Sequence, residues 1–265
     1  MGRFKIEAFV IRATRMSESS RVVTLFSNEM GKVKAVAKGV GRPKSKMSGT
    51  IELFNLIEGI LYKKETSELG TLGSAAVLEQ YSKITADTRK FGFGSAWCEV
   101  LDKTSDLELP RQKAFALTGD LLAVMVASGS EAAGLVFWSG LVKLLGIEGY
   151  APRLDKCLSC GKKNLGEKGF ISLGRGGTVC AKCIGDDEYI VEISSHALAL
   201  LWRMESVPLA DLSKETHDKK AGKEAAEVII SFASYHLGLP RNLKSFKFLE
   251  SLGGVNTNDP ANCAE

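Results

Sequence analysis

The sequence reads CLSC over residues 157–160 and CAKC over residues 180–183, with nineteen residues between the two motifs. Two residues between paired cysteines allow a tight turn to direct both sulfurs at one ion, and two such turns complete a tetrahedron. Gly161 after the first motif, and Gly176 and Gly177 before the second, can adopt the positive φ angles that such turns need. The pattern therefore predicts a structural zinc site with no open ligand position. Its predicted ligands are Cys157, Cys160, Cys180 and Cys183.

Other uses of these cysteines remain open from the sequence. Two disulfides suit a secreted protein, but nothing in the sequence indicates secretion. A redox-active pair normally opens a helix after a strand in a βαβ unit, which is not predicted here, and free thiols are the third alternative. Zinc would contribute to folding, because a short glycine-rich segment buries little core of its own. We assign this zinc ribbon to residues 151–189 and predict a short strand within it at Phe170–Leu173.

The positive charge of the chain is concentrated near its N-terminus. Residues 1–64 contain thirteen lysines and arginines and five acidic residues, whereas the whole chain of 265 residues has a net charge of only +4. A basic segment followed by a mildly acidic remainder is typical of a polyanion-binding module joined to another domain.

We expect a soluble, cytoplasmic protein with no membrane partner. Residues 1–14 mix charged and apolar side chains and do not resemble a signal peptide. The most apolar window, Leu121–Leu145, is interrupted by polar and charged residues, so we interpret it as core helices rather than a membrane span. The two cysteines outside the motifs, Cys98 and Cys263, show no paired spacing, which fits a reducing compartment.

Five short segments near the N-terminus have the composition of β-strands. Lys32–Lys38 alternates most clearly, with Val33, Ala35 and Ala37 on one face and lysines on the other. Five short strands in fewer than eighty residues favour a small closed barrel, of which the OB-fold is the common five-stranded form. The predicted strands are 4–12, 21–27, 32–38, 50–63 and 68–78, and the predicted OB-fold domain covers residues 1–80.

From Ile84 onward the apolar residues follow the helical spacing of i, i+3, i+4 and i+7. This spacing predicts a helical domain over residues 81–150 and 190–252, with the zinc ribbon inserted into it and a flexible tail over residues 253–265. The expected fold class is therefore α+β with several domains. The predicted helices are 84–105, 111–127, 131–145, a helix capped by Ser194 or Ser195 that runs through Met204, 220–237 and 243–252.

A basic stretch follows the third predicted strand into the next loop, with six cations and no acidic residue over residues 32–46. Nucleic-acid phosphates are the obvious partner, because each contact releases a counterion. Such a stretch can also be an ordinary solvated face, but its density on a barrel favours nucleic acid. The predicted DNA-binding residues are Lys32, Lys34, Lys38, Arg42, Lys44 and Lys46, extended on neighbouring strands by Arg12, Arg15 and Arg21.

The sequence gives little support for an enzyme. It lacks the G-x-S-x-G, H-E-x-x-H and GxxxxGK[ST] motifs. Its three histidines, His196, His217 and His236, fall near helix ends or in a charged loop, where capping and surface roles are typical. Without a phosphate-binding loop, any action on DNA should be driven by binding energy rather than by ATP.

The chain resembles the bacterial RecO recombination mediator family over nearly its full length. The resemblance rests on three groups of residues. The N-terminal group is 7–11, Glu18, 21–27, Gly31 and 36–45, the zinc segment is 149–157 with 176–183, and the C-terminal group is 236–238 with 243–245. Their combination is far more specific than any single motif. The resemblance implies an OB-fold, a helical domain and an embedded zinc ribbon, and it assigns a DNA-contact role to Lys38–Lys46.

The same resemblance implies a set of partners. These are single- and double-stranded DNA, RecR, the C-terminal tail of single-strand-binding protein and, indirectly, RecA. The activity that the resemblance implies on DNA is the annealing of complementary strands. One rival interpretation is a zinc-ribbon scaffold that binds proteins and has only incidental affinity for nucleic acid. A weaker rival is a redox switch built on the cysteine motifs. A steep salt dependence of DNA binding separates the first two interpretations, and metal analysis with a thiol count tests the third.

Overall fold

The computed structural model describes residues 2–42, 45, 47, 49–64, 66–163, 168–185 and 189–251. The contacts between Cα atoms divide the chain into two compact units, Met1–Val126 and Ala127–Glu265. The first unit contains a five-stranded barrel and the second is mainly helical, so the predicted α+β fold class is confirmed. The tail predicted over residues 253–265 lies outside the described residues, and the predicted domain bounds remain a prediction.

Five strands of the first unit form a closed barrel in the order β1-β2-β3-β5-β4. Neighbouring strands are antiparallel except β3 and β5, which are parallel. This closure pairs each of the five described strands with two neighbours and gives the OB-like fold expected from the sequence. The strands are β1 (Gly2–Arg15), β2 (Arg21–Ser27), β3 (Gly31–Ala37), β4 (Leu56–Lys63) and β5 (Leu69–Glu79).

The alternation of β3 determines which side chains fill the barrel. Val33, Ala35 and Ala37 are fully buried in the barrel core, whereas Lys32 and Lys34 are only half-buried on the opposite face. The sequence pattern of this strand is therefore confirmed. An outward row of lysines on a closed barrel is a surface that an anion can reach.

One predicted strand begins later than its sequence suggests. The strand expected over residues 50–63 begins only at Leu56. Phe54 has a left-handed backbone with a φ of 74°, and its N–H donates to the Val10 carbonyl oxygen at 2.9 Å. This turn buries the Phe54 ring, and the gain from burying a large aromatic side chain offsets the strained φ.

Three helices complete the first unit, α1 (Ser82–Thr85), α2 (Thr88–Thr104) and α3 (Gln112–Ala127), the last of which reaches the first residue of the second unit. The carboxylate of Asp87 caps α2 by accepting hydrogen bonds from the first backbone N–H groups of the helix. The Phe115 ring of α3 lies 4.9 Å from the Phe9 ring of β1. Aromatic packing thus seats a helix directly against the barrel.

The second unit combines helices with a small three-stranded sheet in the order β7-β6-β8. The Ser194 hydroxyl caps α5 by accepting from the Ala197 N–H at 3.2 Å, and Gly238, with a φ of 64°, ends α7. The elements are α4 (Ala133–Ile147), β6 (Lys168–Ser172), β7 (Gly177–Val179), β8 (Ile190–Ser194), α5 (Ser195–Ser206), α6 (Leu209–Leu212), α7 (Lys219–Leu237) and α8 (Lys244–Ser251).

Among the described residues, Ser130–Ile147 is long and apolar enough to cross a membrane by length and composition alone. However, 61% of this stretch is buried. The Phe137 ring of α4 is fully buried and lies edge-on to the Phe246 ring of α8, at a distance of 5.8 Å. Packing of this kind is typical of a core helix.

Candidate metal centre and nucleic-acid interface

The four cysteines of the two motifs lie together in the second unit. Their Sγ atoms all lie within 4.8 Å of one another, and those of Cys160 and Cys180 are 3.8 Å apart. A tetrahedral site with zinc–sulfur bonds of about 2.3 Å places its sulfurs about 3.8 Å apart. A disulfide would need about 2.05 Å, and all four thiols are free. The donor set therefore fits a single tetrahedral metal ion.

Backbone hydrogen bonds shape both cysteine motifs. The Gly161 N–H donates to the Cys157 carbonyl oxygen at 2.9 Å, and the Cys183 N–H donates to the Cys180 carbonyl oxygen at 2.8 Å. Gly161 has a φ of 71°, as the first turn requires. The Cys180 N–H donates to Cys157 Sγ at 3.4 Å and so links the two motifs through a sulfur.

The electrostatics around Cys157 favour its thiolate. Burial by itself would raise the pKa of this thiol, but hydrogen bonds from the backbone of Cys160, Cys180 and Ser159 outweigh it and lower the pKa to about 6. The thiolate is the form that binds metals. These hydrogen bonds therefore favour the metal-binding form of Cys157.

Arg175 lies on the turn between β6 and β7 and connects the two cysteine motifs. Its Nη1 donates to Ser159 Oγ and to the Cys183 carbonyl oxygen, each at 3.1 Å. Its Nη2 donates to the Ile184 carbonyl oxygen at 3.1 Å. Sequence reasoning missed this role. The only signal was an arginine placed among the glycines between the motifs, Gly174, Gly176 and Gly177.

The structure places the predicted DNA-binding residues that it describes on β1, β2, β3 and the loop after β3. Four of them are exposed, and these are Arg12, Arg15, Lys38 and Arg42. The other three are half-buried, and these are Arg21, Lys32 and Lys34. Lys44 and Lys46 lie outside the described residues. Whether these nine residues contact DNA stays a prediction.

Three of these cations already have acidic partners within the first unit. Lys32 Nζ lies 3.7 Å from Asp102 Oδ1 and donates to the Asp102 carbonyl oxygen at 2.5 Å. Arg12 Nη1 lies 3.4 Å from Asp102 Oδ2, and Arg21 Nη1 lies 3.2 Å from Glu52 Oε1. Asp102 therefore ties β1 and β3 to α2, and Lys32, whose side chain is only 11% exposed, serves mainly the fold.

The remaining described cations of the patch are better placed to bind a ligand. In the part of the chain that the structure describes, the side chains of Lys34, Lys38 and Arg42 form no hydrogen bond or ion pair. Arg15 is paired directly with Arg21 across β1 and β2, beside a cleft that is also lined by Ser17, Glu18, Ser19, Ser20 and Gly41.

Replacing Asp102 with alanine tests the structural role of Lys32. The substitution leaves a poorly solvated ammonium group without its carboxylate, so we expect the free energy of unfolding to fall by about 1–3 kcal/mol. Affinity for DNA should not fall. Urea denaturation measures the first quantity and fluorescence anisotropy the second. Asp106→Ala, which changes the charge equally at an exposed position, is the control. Equal stability of the two variants would contradict this role.

Two family models match the chain. The model described as "Recombination protein O N terminal" matches residues 1–81, and the model described as "Recombination protein O C terminal" matches residues 85–245. Together they cover the barrel and nearly all of the described helical unit.

Several proteins named DNA repair protein RecO are similar to the chain. That of Desulfitobacterium hafniense is 32% identical over 261 residues, which cover 97% of this chain and 93% of the relative. That of Anaeromyxobacter sp. is 30% identical over 255 residues, with coverage of 96% and 98%. That of Bacillus pumilus is 27% identical over 248 residues, with coverage of 94% of both chains.

Proposed function

The chain belongs to the recombination protein O family of bacterial DNA repair proteins, and we propose that it is a non-enzymatic, DNA-binding mediator of recombinational repair. It binds single- and double-stranded DNA and anneals complementary strands. Together with RecR, the protein helps RecA to load onto DNA that is coated with single-strand-binding protein. The protein recognises the C-terminal tail of that single-strand-binding protein. Family membership supports these partners.

The observation that carries the proposal is the set of unpaired cations on the barrel. Lys34 projects from the outer face of β3, and Lys38 and Arg42 follow in the next loop without a described acidic partner. Each can neutralise a phosphate without first breaking an ion pair. Affinity that arises from such contacts falls steeply with salt, because each one releases a counterion from the nucleic acid.

The metal in the four-cysteine centre is zinc, and its role is structural. A donor set made only of thiolates is typical of zinc and is unsuited to magnesium or calcium, which prefer oxygen ligands. Four protein ligands leave no position for water or substrate. Bound zinc contributes folding free energy to a ribbon whose described strands are only three to five residues long.

The cysteines also support a cytoplasmic location, and the proposed binding to DNA would bring the protein to the nucleoid there. The five cysteines that the structure describes are all free thiols, as expected in a reducing compartment.

Annealing needs no catalytic residue, because it requires only that two phosphate backbones be neutralised close together. The barrel neutralises the phosphates of one strand. Another basic surface, on a second copy of the protein or on RecR, neutralises the phosphates of the complementary strand.

An annealing assay tests the proposal. Two complementary oligonucleotides are coated with single-strand-binding protein, and duplex formation is followed by fluorescence with and without RecR. We expect the protein to accelerate annealing at least tenfold and RecR to modulate that rate. An annealing rate that the protein leaves unchanged would overturn the proposal.

The rival interpretation of a protein-binding scaffold predicts a different salt response. If nucleic-acid affinity is incidental, few phosphates are contacted, so binding should be weak and the slope of log K against log salt should be shallow. A mediator that contacts several phosphates should instead show a linear fall of log K with log salt, with a slope of about −0.7 for each contact to single-stranded DNA. Titration over a range of salt concentrations distinguishes the two.

A further inference from the structure

The second unit carries a group of half-exposed tyrosines, which we call the tyrosine surface: Tyr150, Tyr189, Tyr235 and the adjoining His236. The three tyrosines are 42%, 53% and 46% exposed. The Tyr189 and Tyr235 rings are 5.2 Å apart, and Tyr235 and Tyr150 each lie 4.9 Å from the His236 ring. The four rings therefore form one continuous aromatic surface.

Three separate segments build this surface around the turn between β6 and β7. His236, at the end of α7, is hydrogen-bonded through Nε2 to the Leu173 carbonyl oxygen at 3.0 Å. The Leu173 N–H donates to the Tyr189 carbonyl oxygen at 2.9 Å. The Tyr235 hydroxyl packs over Gly174, 3.4 Å from the position that a Cβ would take. The rings are thus fixed by the backbone of the ribbon.

One exposed arginine adjoins the turn beside the tyrosine surface, whereas residues 186–188, which precede Tyr189 in the sequence, are acidic. Arg153 is exposed, and its backbone is hydrogen-bonded to the same turn, where its N–H donates to the Gly176 carbonyl oxygen at 3.0 Å. Within the described ranges its side chain forms no ion pair. Exposed rings and an unpaired arginine around one turn are the combination that binds single-stranded nucleic acid, in which bases stack on the rings and the cation contacts phosphate.

We propose that the tyrosine surface is a second binding site for single-stranded DNA, at which unpaired bases stack on Tyr150, Tyr189 and Tyr235 while Arg153 contacts the backbone. The site rests on the proposed function and extends it. The barrel patch holds a strand by its phosphates and cannot distinguish an intact strand from a bare backbone. The tyrosine surface holds a strand by its bases, which is how an unpaired strand differs from a duplex.

The test compares two single-stranded oligonucleotides of equal length and charge, one with bases and one abasic, by fluorescence anisotropy with the full chain. The unmodified protein should prefer the strand with bases. Tyr235→Ala and Tyr189→Ala should each lose about tenfold in affinity for that strand and little for the abasic strand. Tyr235→Phe keeps the ring and should retain the preference, which covers the case in which the alanine variant fails to fold.

Trp202→Ala is the matched control, because Trp202 is 50% exposed on α5 and outside the tyrosine surface. Losing its ring should leave both affinities unchanged. The proposal is overturned if the tyrosine variants lower both affinities equally, or if they lower neither. The second result would indicate that the surface binds a protein partner instead. Substitutions in the barrel patch should lower the affinity for both oligonucleotides alike. A failure of the barrel contact can therefore be told apart from a failure of the tyrosine surface.

Discussion

Replacing Cys160 with serine should abolish metal binding and unfold the zinc ribbon. Cys160 is exposed, so the substitution creates no cavity and its effect reports the lost ligand alone. Metal binding contributes about 10–16 kcal/mol to zinc-finger peptides, and losing even about 4 kcal/mol would lower the Tm by roughly 10 °C in a chain of this size. Metal content, measured by elemental analysis, should fall from one ion per chain to nearly none, and calorimetry should record the lower Tm.

The control for this experiment is Cys98→Ala. It removes a buried thiol of α2 that does not belong to the four-cysteine cluster. The small cavity should cost some stability, but the metal content should stay at one ion per chain. A Cys160→Ser protein that retains its full metal content would rule out the four-cysteine centre, and cysteines that pair on mild oxidation of the unmodified protein would favour a redox role.

Replacing Lys34, Lys38 and Arg42 together with alanine should lower the affinity for single-stranded DNA by about 100- to 1,000-fold at low salt. Each phosphate contact is worth about tenfold near 0.1 M salt, and losing three contacts should flatten the slope of log K against log salt by about 2. Because none of the three side chains has a described structural partner, the Tm should change little. Anisotropy titrations at several salt concentrations measure both the affinity and the slope.

A matched triple variant separates local contacts from net charge. Lys83, Lys103 and Lys113 are exposed lysines of the same unit, outside the basic stretch. Replacing them with alanine changes the net charge by the same amount. If both triple variants lose the same affinity, the barrel patch has no special role and binding reflects overall charge alone.

Local patterns made much of the fold predictable. The bounds of β2, Arg21–Ser27, agree with the sequence prediction, because apolar alternation and flanking turn residues act over a few neighbouring positions. The closeness of the four thiols could also be predicted, because the spacing within each motif fixes its own turn. The delayed start of β4 could not, since it depends on a left-handed Phe54 that is stabilised by distant packing.

The side chains that define the candidate site were less predictable than its elements. Lys32 and Lys34 are equivalent in the alternation of β3, yet Lys32 is held by Asp102, seventy residues further along the chain. Their sequence pattern carries no information about that pairing. Arg175 likewise depends on two segments that meet only in the folded ribbon. Periodicity shows which face a side chain occupies, but its partners are set by tertiary structure.

The position of Arg175 has a consequence for how the cysteine centre reacts. A dication held by these four thiolates would give the centre a net charge of about −2, which would make its sulfurs reactive toward peroxides and other electrophiles. The guanidinium bonded to Ser159 and Cys183 sets a permanent positive charge beside that excess and withdraws electron density from it. With a metal bound, the exposed sulfur of Cys160 should therefore be a poorer nucleophile than it would be without Arg175, and the centre should be oxidised more slowly.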